Sequence, residues 1–180
     1  MKKRFPVLET ERLILREIIE TDRLDILEYL SDEEVMKFYG MSPFRDEEEA
    51  LEEINWYRKI FDFGVGIRWG ITLKEINKVI GSCGFHNWDK RHHRAEIGFE
   101  LSKHYWNKGI MGEALRAIIP FGFVELNINR IQALVEPENF ASLGLLKKLK
   151  FNEEGLLAQY EFTCDKYDDL LMLARLKKDF

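Results

Sequence analysis

Cysteine is nearly absent: Cys83 and Cys164 are the only two in 180 residues. Two thiols without a CxxC spacing build neither a disulfide framework nor a zinc ribbon, so both read as reduced thiols of a reducing compartment. Proline is almost as scarce, with four scattered residues, and no repeat or low-complexity stretch divides the chain. No apolar run reaches the length of a bilayer crossing. Met1-Lys2-Lys3-Arg4 has the charge of a signal n-region, but Glu9, Glu11 and Arg12 interrupt the apolar stretch that would have to follow. An excess of positive charge is also missing. The net charge of −5 argues against a general nucleic-acid binder, whose affinity rests on neutralising phosphates. It suits a cationic or amine-bearing ligand, which mild steering would favour. What remains is a single cytoplasmic domain over 1–180 that engages neither membrane nor nucleic acid directly, with 46% hydrophobic residues to fill a core.

The apolar periodicity then sets out the elements. A strand-like run at 13–18 leads into a helix carrying Leu24, Ile26, Leu27 and Leu30. A second helix begins around Asp46 with an acidic first turn to Glu49, read as a solvated helix start, and presents Leu51, Ile54, Tyr57 and Phe61 on one face. Three β-type runs at 67–75, 78–86 and 94–102 follow, joined by short polar connections. A helix from Lys108 carries Met111, Leu115, Ile118 and Ile119, with Pro120 inside it, where one backbone hydrogen bond is lost and the last turns should bend. A strand at 130–135, a short helix at 139–150 and strands near 155–164 and 168–177 complete the chain. The order β-α-α-β-β-β-α-β-α-β-β predicts an α/β fold: a mixed, mostly antiparallel sheet flanked by helices. The crossover at 94–135 puts one parallel pair inside it, and a ligand is expected where those strands end beside a helix N-terminus.

That place holds the most informative segment. Residues 104–114 read His-Tyr-Trp-Asn-Lys-Gly-Ile-Met-Gly-Glu-Ala and join the third β-type run to the long helix. A glycine-bearing turn at a helix start points several backbone N–H groups one way, and the helix dipole adds partial positive charge, which suits a pyrophosphate. Gly109 and Gly112 let a ligand approach the backbone, and Leu101 would lie beside the turn. Short glycine motifs also occur by chance in ordinary strand-to-helix connections.

Three stretches in the same order resemble the GNAT N-acetyltransferase superfamily, and within it the RimJ/RimL-like branch that acetylates ribosomal-protein N-termini. They are Glu9-Thr10-Glu11-Arg12-Leu13-Ile14-Leu15-Arg16, then Ala95-Glu96-Ile97-Gly98-Phe99-Glu100-Leu101 with Trp106 to Ala114, then Glu138-Asn139-Phe140-Ala141-Ser142 with Leu149-Lys150-Phe151. The resemblance implies an acetyl-coenzyme A-dependent N-acetyltransferase needing no metal. It places the cofactor on Leu101, on Lys108, Gly109, Ile110, Met111 and Gly112, and on Asn139. Ser142 is implied as the hydroxyl that protonates the departing thiolate, Glu161 as the base that prepares the amine, and Leu101 as the region of the oxyanion donor. Trp106, Met111 and Lys150 depart from the superfamily pattern, Lys150 standing where a glycine commonly closes the helix.

Without the resemblance, Asn139 and Ser142 read equally as supports of a helix start, and Glu161 as an exposed strand carboxylate. Glu96 and Glu100 rival Glu161 as base, since 96, 98 and 100 share a strand face; the resemblance makes Glu96 the stronger of the two, because a carboxylate on this strand serves as base elsewhere in the superfamily. Tyr160 alternates away from Glu161 and reads as packing. His92 and His93 are adjacent in a polar turn and read as surface residues, not metal ligands. Phe38, Tyr39, Trp56 and Trp69 are candidates to line the acceptor side, walled by helices within 20–62, while ordinary core packing explains most of these aromatics equally well. The acceptor is expected to be a primary amine: a protein N-terminus, or a small amine such as a polyamine or aminoglycoside. A non-catalytic acyl-coenzyme A-binding protein is the alternative of a different class. Apolar alternation at Leu170, Met172 and Ala174 marks late strands that related proteins use for homodimers.

Overall fold

A computed structural model of the chain describes residues 4–180, so Met1 to Lys3 of the signal-like segment lie outside the described residues. The strands are β1 (Leu8–Glu9), β2 (Leu13–Arg16), β3 (Ile67–Leu73), β4 (Ile76–Asp89), β5 (Arg94–Leu101), β6 (Arg130–Val135), β7 (Asn152–Thr163) and β8 (Lys166–Leu176). They form one sheet in the order β1-β2-β3-β4-β5-β6-β8-β7. Every pairing is antiparallel except β5 with β6, which are parallel as the crossover requires. The helices are α1 (Arg23–Leu30), α2 (Glu33–Met36), α3 (Glu47–Asp62), α4 (Ile110–Val124) and α5 (Phe140–Lys148). The expected mixed α/β sheet is therefore present, extended by the short β1 and by α2.

The sheet divides two apolar layers. Strand positions such as Ile67, Trp69, Ile71, Phe85 and Ile131 face α4, whose Leu115, Ile118 and Ile119 are fully buried. Truncating such a side chain typically costs about 2–5 kcal/mol because the site relaxes only partly. On the other face, Ile26, Leu30, Ile54 and Tyr57 from α1 and α3 form a smaller core with Ile18 and Val79. Asp46 caps α3 by accepting from the N–H groups of Glu48 and Glu49, so the acidic start is a built helix terminus. Residues N-terminal to Pro120 set α4, which continues through it to Val124.

The register places polar residues in rows on the α1/α3 face. Gly70, Ser82 and Glu100 are direct neighbours across β3, β4 and β5. Arg68, Gly84 and Gly98 form the adjacent row, and His86, Glu96 and Gln132 form a third that crosses into β6. These rows are the floor of the site.

Candidate active site

The turn between β5 and α4 is built to leave its amides free. Asn107 and Gly109 both have left-handed backbones, with φ of 58° and 73°. The first backbone donor returned to the helix is Glu113, which reaches the Gly109 carbonyl at 3.0 Å. The N–H groups of Lys108, Gly109, Ile110, Met111 and Gly112 donate to no other group among the described residues. Five successive free amides at a helix N-terminus fit a pyrophosphate. The guanidinium of Arg116 lies over the same turn, its Nη1 3.2 Å from where a Cβ on Gly112 would stand.

The turn is tied down from two sides. Trp106 donates its indole N–H to the Leu101 carbonyl at 2.7 Å. This explains a tryptophan where the superfamily pattern has a polar residue. Glu113 accepts from the Thr10 hydroxyl, the Arg12 amide and the Arg12 guanidinium, and Arg12 also reaches the Lys108 carbonyl at 3.0 Å. Burial would raise the Glu113 carboxyl, but these Thr10 and Arg12 contacts outweigh it and hold it below its ordinary value.

A cavity of about 1300 Å³ opens along the same strand. β5 and β6 pair only from Arg94/Arg130 to Glu96/Gln132 and then part. Residues 97–100 and 133–136, beyond that point, border the cavity. Glu96, Asn139, Ser142 and Glu161 border it together, so all three proposed catalytic residues share one space. Leu101 and the 108–112 turn do not border it. Leu101 is buried and its carbonyl is held by Trp106, so 97–100 form the edge of β5 that lines the cavity without pairing to β6.

Each site residue has a definite setting. Asn139 caps α5, its Oδ1 accepting from the Ser142 amide at 3.1 Å, which leaves its side-chain N–H₂ free for a ligand. Glu161 is exposed on β7, and its Oε2 reaches within 4.0 Å of the Cβ position of Gly40, from the loop that walls the opposite side. Glu96 is held by Asn87 Nδ2 at 3.1 Å and faces His86 Nε2 at 3.6 Å. Burial pushes the Glu96 carboxyl up, but His86 and Asn87 prevail and hold it low, which makes it a weaker proton acceptor. Glu100 is closed off as a base, since it is buried and bonded to both Arg68 and Ser82. Burial raises its carboxyl against the pull of Arg68, while Glu100 in turn raises the Arg68 guanidinium.

The fold decides two aromatic readings. Phe38, Tyr39 and Trp56 border the cavity, but Trp69 does not. It is fully buried on the α4 face, 5.4 Å from the Phe121 ring, with its N–H on the Pro6 carbonyl. Tyr160 was expected to face away from Glu161, yet both border the cavity. The β7–β8 register slips between Leu157 and Glu161, and Gln159 takes a φ of 49°, which breaks the strand alternation. Lys150 does keep a left-handed cap, with φ of 63°. His92 and His93 are exposed, and no cluster fit for a metal occurs among the described residues.

Glu49, which the sequence marks as part of a solvated helix start, borders the cavity, together with acidic residues that were not among the expected site residues. Glu49, Glu52 and Glu53 come from α3 and Glu136 from the end of β6, against only Arg45 and Arg68 of positive charge. Burial raises the Glu136 carboxyl, reinforced by Asp168. Arg45 is paired with Glu49 and Arg68 with Glu100. The cavity is therefore acidic and favours an ammonium ligand. A glutamate at every third or fourth position from Glu49 was the available signal.

A β5–β6 gap, an amide-rich turn and an acidic cavity on one strand are the parts of an acyl-transfer site for amines. The acetyltransferase (GNAT) domain family matches residues 12–152. The chain belongs to this family and is an acetyltransferase. It is 42% identical over 174 residues to the uncharacterized N-acetyltransferase p20 of Bacillus licheniformis, covering 96% of this chain and 97% of that one. It is 26% identical over 182 residues to the [ribosomal protein uS5]-alanine N-acetyltransferase of Escherichia coli, covering 96% and 92%. Among solved structures, a GNAT-family acetyltransferase from Bacillus anthracis superposes with a TM-score of 0.85 at 28% identity, covering 96% and 99%. A spermidine N-acetyltransferase from Vibrio cholerae, in complex with coenzyme A and spermine, shares the fold with a TM-score of 0.81 at 23% identity, covering 94% and 98%.

Proposed function

We propose that the enzyme transfers the acetyl group of acetyl-coenzyme A to a primary amine, and that the acceptor is the N-terminal α-amine of a protein such as a ribosomal protein. The observation that carries the transfer reading is the run of five free amides at 108–112, in the turn that follows β5, together with a cavity that β5 itself lines. The full-length likeness to the Escherichia coli ribosomal-protein alanine acetyltransferase supports the acceptor. When bound, acetyl-coenzyme A supplies an activated thioester. Residues 108–112 receive its pyrophosphate through backbone N–H groups, with Arg116 adding charge, and the free Asn139 amide nitrogens meet its arm. Glu161 takes a proton from the incoming ammonium, directly or through water, and Ser142 returns one to the thiolate. Backbone groups of 97–100, left unpaired where β5 leaves β6, offer the oxyanion a donor.

A small amine is the second reading, favoured by the carboxylate excess of the cavity. Thiol release measured across N-terminal peptides, polyamines and aminoglycosides decides between them, and silence with every amine would end the transfer reading itself. We also place the enzyme in the cytoplasm, in keeping with Cys83 and Cys164 as free thiols. The sheet ends at β7, whose exposed Leu156, Tyr160 and Phe162 support a homodimer across 155–177.

A further inference from the structure

Arg68 is a buried cation with one hand free. The residue is only 6% exposed. Its register neighbours Gly84 and Gly98 carry no side chains, so the arginine stretches across β4 toward β5. Nε donates to Ser82 Oγ at 2.6 Å and Nη2 to Glu100. The Tyr57 ring covers the guanidinium, with its centroid 5.7 Å from the central carbon. Nη1 donates to no group among the described residues, although a guanidinium carries donors on all three nitrogens. It sits 2.7 Å from the point a Cβ on Gly98 would occupy, and His86 Nδ1 lies 3.5 Å from the same point. Gly98, His86 and Arg68 all border the acceptor cavity. The free donor is thus held at the cavity floor by two fixed bonds, and the absence of a side chain at 98 keeps it open.

The chemistry of the surroundings narrows the ligand. A charged donor that opens on the cavity and has no protein acceptor among the described residues can be offered to a ligand without breaking a bond inside the protein. Glu100 already matches the charge of Arg68, and Glu53, Glu96, Glu136 and Glu161 make the space acidic, so an added anion is repelled. A neutral oxygen is what fits. A peptide α-amine carries one, the carbonyl of its own first residue, close to the reacting nitrogen. A protonated polyamine has no acceptor and would set an ammonium against the guanidinium.

We infer that Arg68 Nη1 is a specificity contact that donates a hydrogen bond to the first-residue carbonyl oxygen of the acceptor and thereby selects aminoacyl amines over polyamines. The inference rests on the acetyl-transfer reading and deepens it. The test compares a short alanyl peptide with its reduced-amide analogue, in which that carbonyl is a methylene. The kcat/KM values are corrected for the neutral fraction, since a peptide α-amine titrates near about 7.7–8.0 and the analogue is more basic. Wild-type enzyme should prefer the peptide by about 10- to 100-fold, as expected for one hydrogen bond to a charged donor. Gly98→Ala, which puts a methyl against Nη1, should bring the ratio close to one, as should the charge-neutral double variant Arg68→Gln/Glu100→Gln. The wild-type comparison needs no variant to fold. Equal rates for peptide and analogue, or faster acetylation of spermidine, would overturn this inference and leave acetyl transfer standing. No thiol release with any of them would overturn both.

Discussion

Glu113, in the first turn of α4, and Arg12, just before β2, form an ion pair at 2.7 Å that fixes the amide-rich turn from behind. The Glu113 side chain is 17% exposed and also accepts from the Thr10 hydroxyl, so its loss leaves donors unsatisfied. Glu113→Ala should lower stability by about 1–2 kcal/mol and weaken coenzyme A binding several-fold with little change in kcat. The carboxyl is held below its ordinary value in the folded state. Its contribution is therefore complete above the unfolded pKa and fades as pH falls through the folded one. Urea melts of wild type and variant should differ at pH 7 and converge below about pH 4, near and under the free glutamate value. A constant gap down to pH 3 would count against the ion pair as the cause.

Gly109 bears the turn's left-handed backbone, with φ of 73°. A β-branched residue there adds strain of about 1–2 kcal/mol, and its side chain would stand against the Arg12 guanidinium, whose Nη2 lies 3.6 Å from the Cβ position, so the turn that presents the free amides is disturbed. Gly109→Val should weaken coenzyme A binding at least tenfold in titration calorimetry. Unchanged affinity would move the pyrophosphate elsewhere.

At Lys150 the argument runs the other way. A lysine with φ of 63° ends the α5 segment where glycine would sit without strain. Lys150→Gly should therefore stabilise the protein by about 0.5–1 kcal/mol, with glycine's own entropy cost offsetting part of the gain. That corresponds to a rise in Tm of roughly 1–4 °C for a chain of this size. A fall in Tm would mean the lysine side chain holds something the backbone argument overlooks.

The proposed homodimer depends on β7, the last strand of the sheet. Phe162 is 59% exposed there beside Tyr167, with ring centroids 4.9 Å apart. Light scattering at micromolar concentration should return twice the monomer mass for wild type and the monomer mass for Phe162→Glu. A monomeric wild type would remove the proposal.

Much of this architecture was legible because alternation and helical spacing are local. Ile67, Trp69 and Ile71 mark a strand at once, but not which face meets α4. Trp69 stayed open between cavity lining and core for that reason, the face being decided by how Arg68 and Gly70 align with β4. Arg68, Ser82 and Glu100 are 14 and 18 residues apart in the chain and form a network only after register brings three strands together. No sequence window contains it. The cavity-facing pair Tyr160 and Glu161 failed differently: a left-handed Gln159 breaks the period-2 rule on which the reading relied. The co-location of Ser142, Glu96 and Glu161 came from family likeness, since nothing in their spacing places β7 against α5.

The base assignment among those carboxylates is the sharpest remaining test. Glu100 is bonded by Arg68 and Ser82 and buried, so Glu100→Gln should act through stability and leave the pH profile unchanged in shape. Glu96 is held low by His86 and Asn87, which keeps it ionised but reduces its proton affinity. Glu161 borders the same cavity with no such partner among the described residues. Glu161→Gln keeps the size and removes the base, so kcat should fall by about 10²–10⁴-fold while coenzyme A affinity holds. The deficit should be largest at low pH, where the acceptor is an ammonium ion, and shrink as pH rises past the amine's own pKa. Ser142→Ala should lower kcat by a similar order without that pH trend. With one good acceptor followed over a pH series, near-normal turnover of Glu161→Gln beside a crippled Glu96→Gln would transfer the role to β5. If all three glutamine variants stay active, an already neutral amine attacks unaided and the enzyme works by positioning alone.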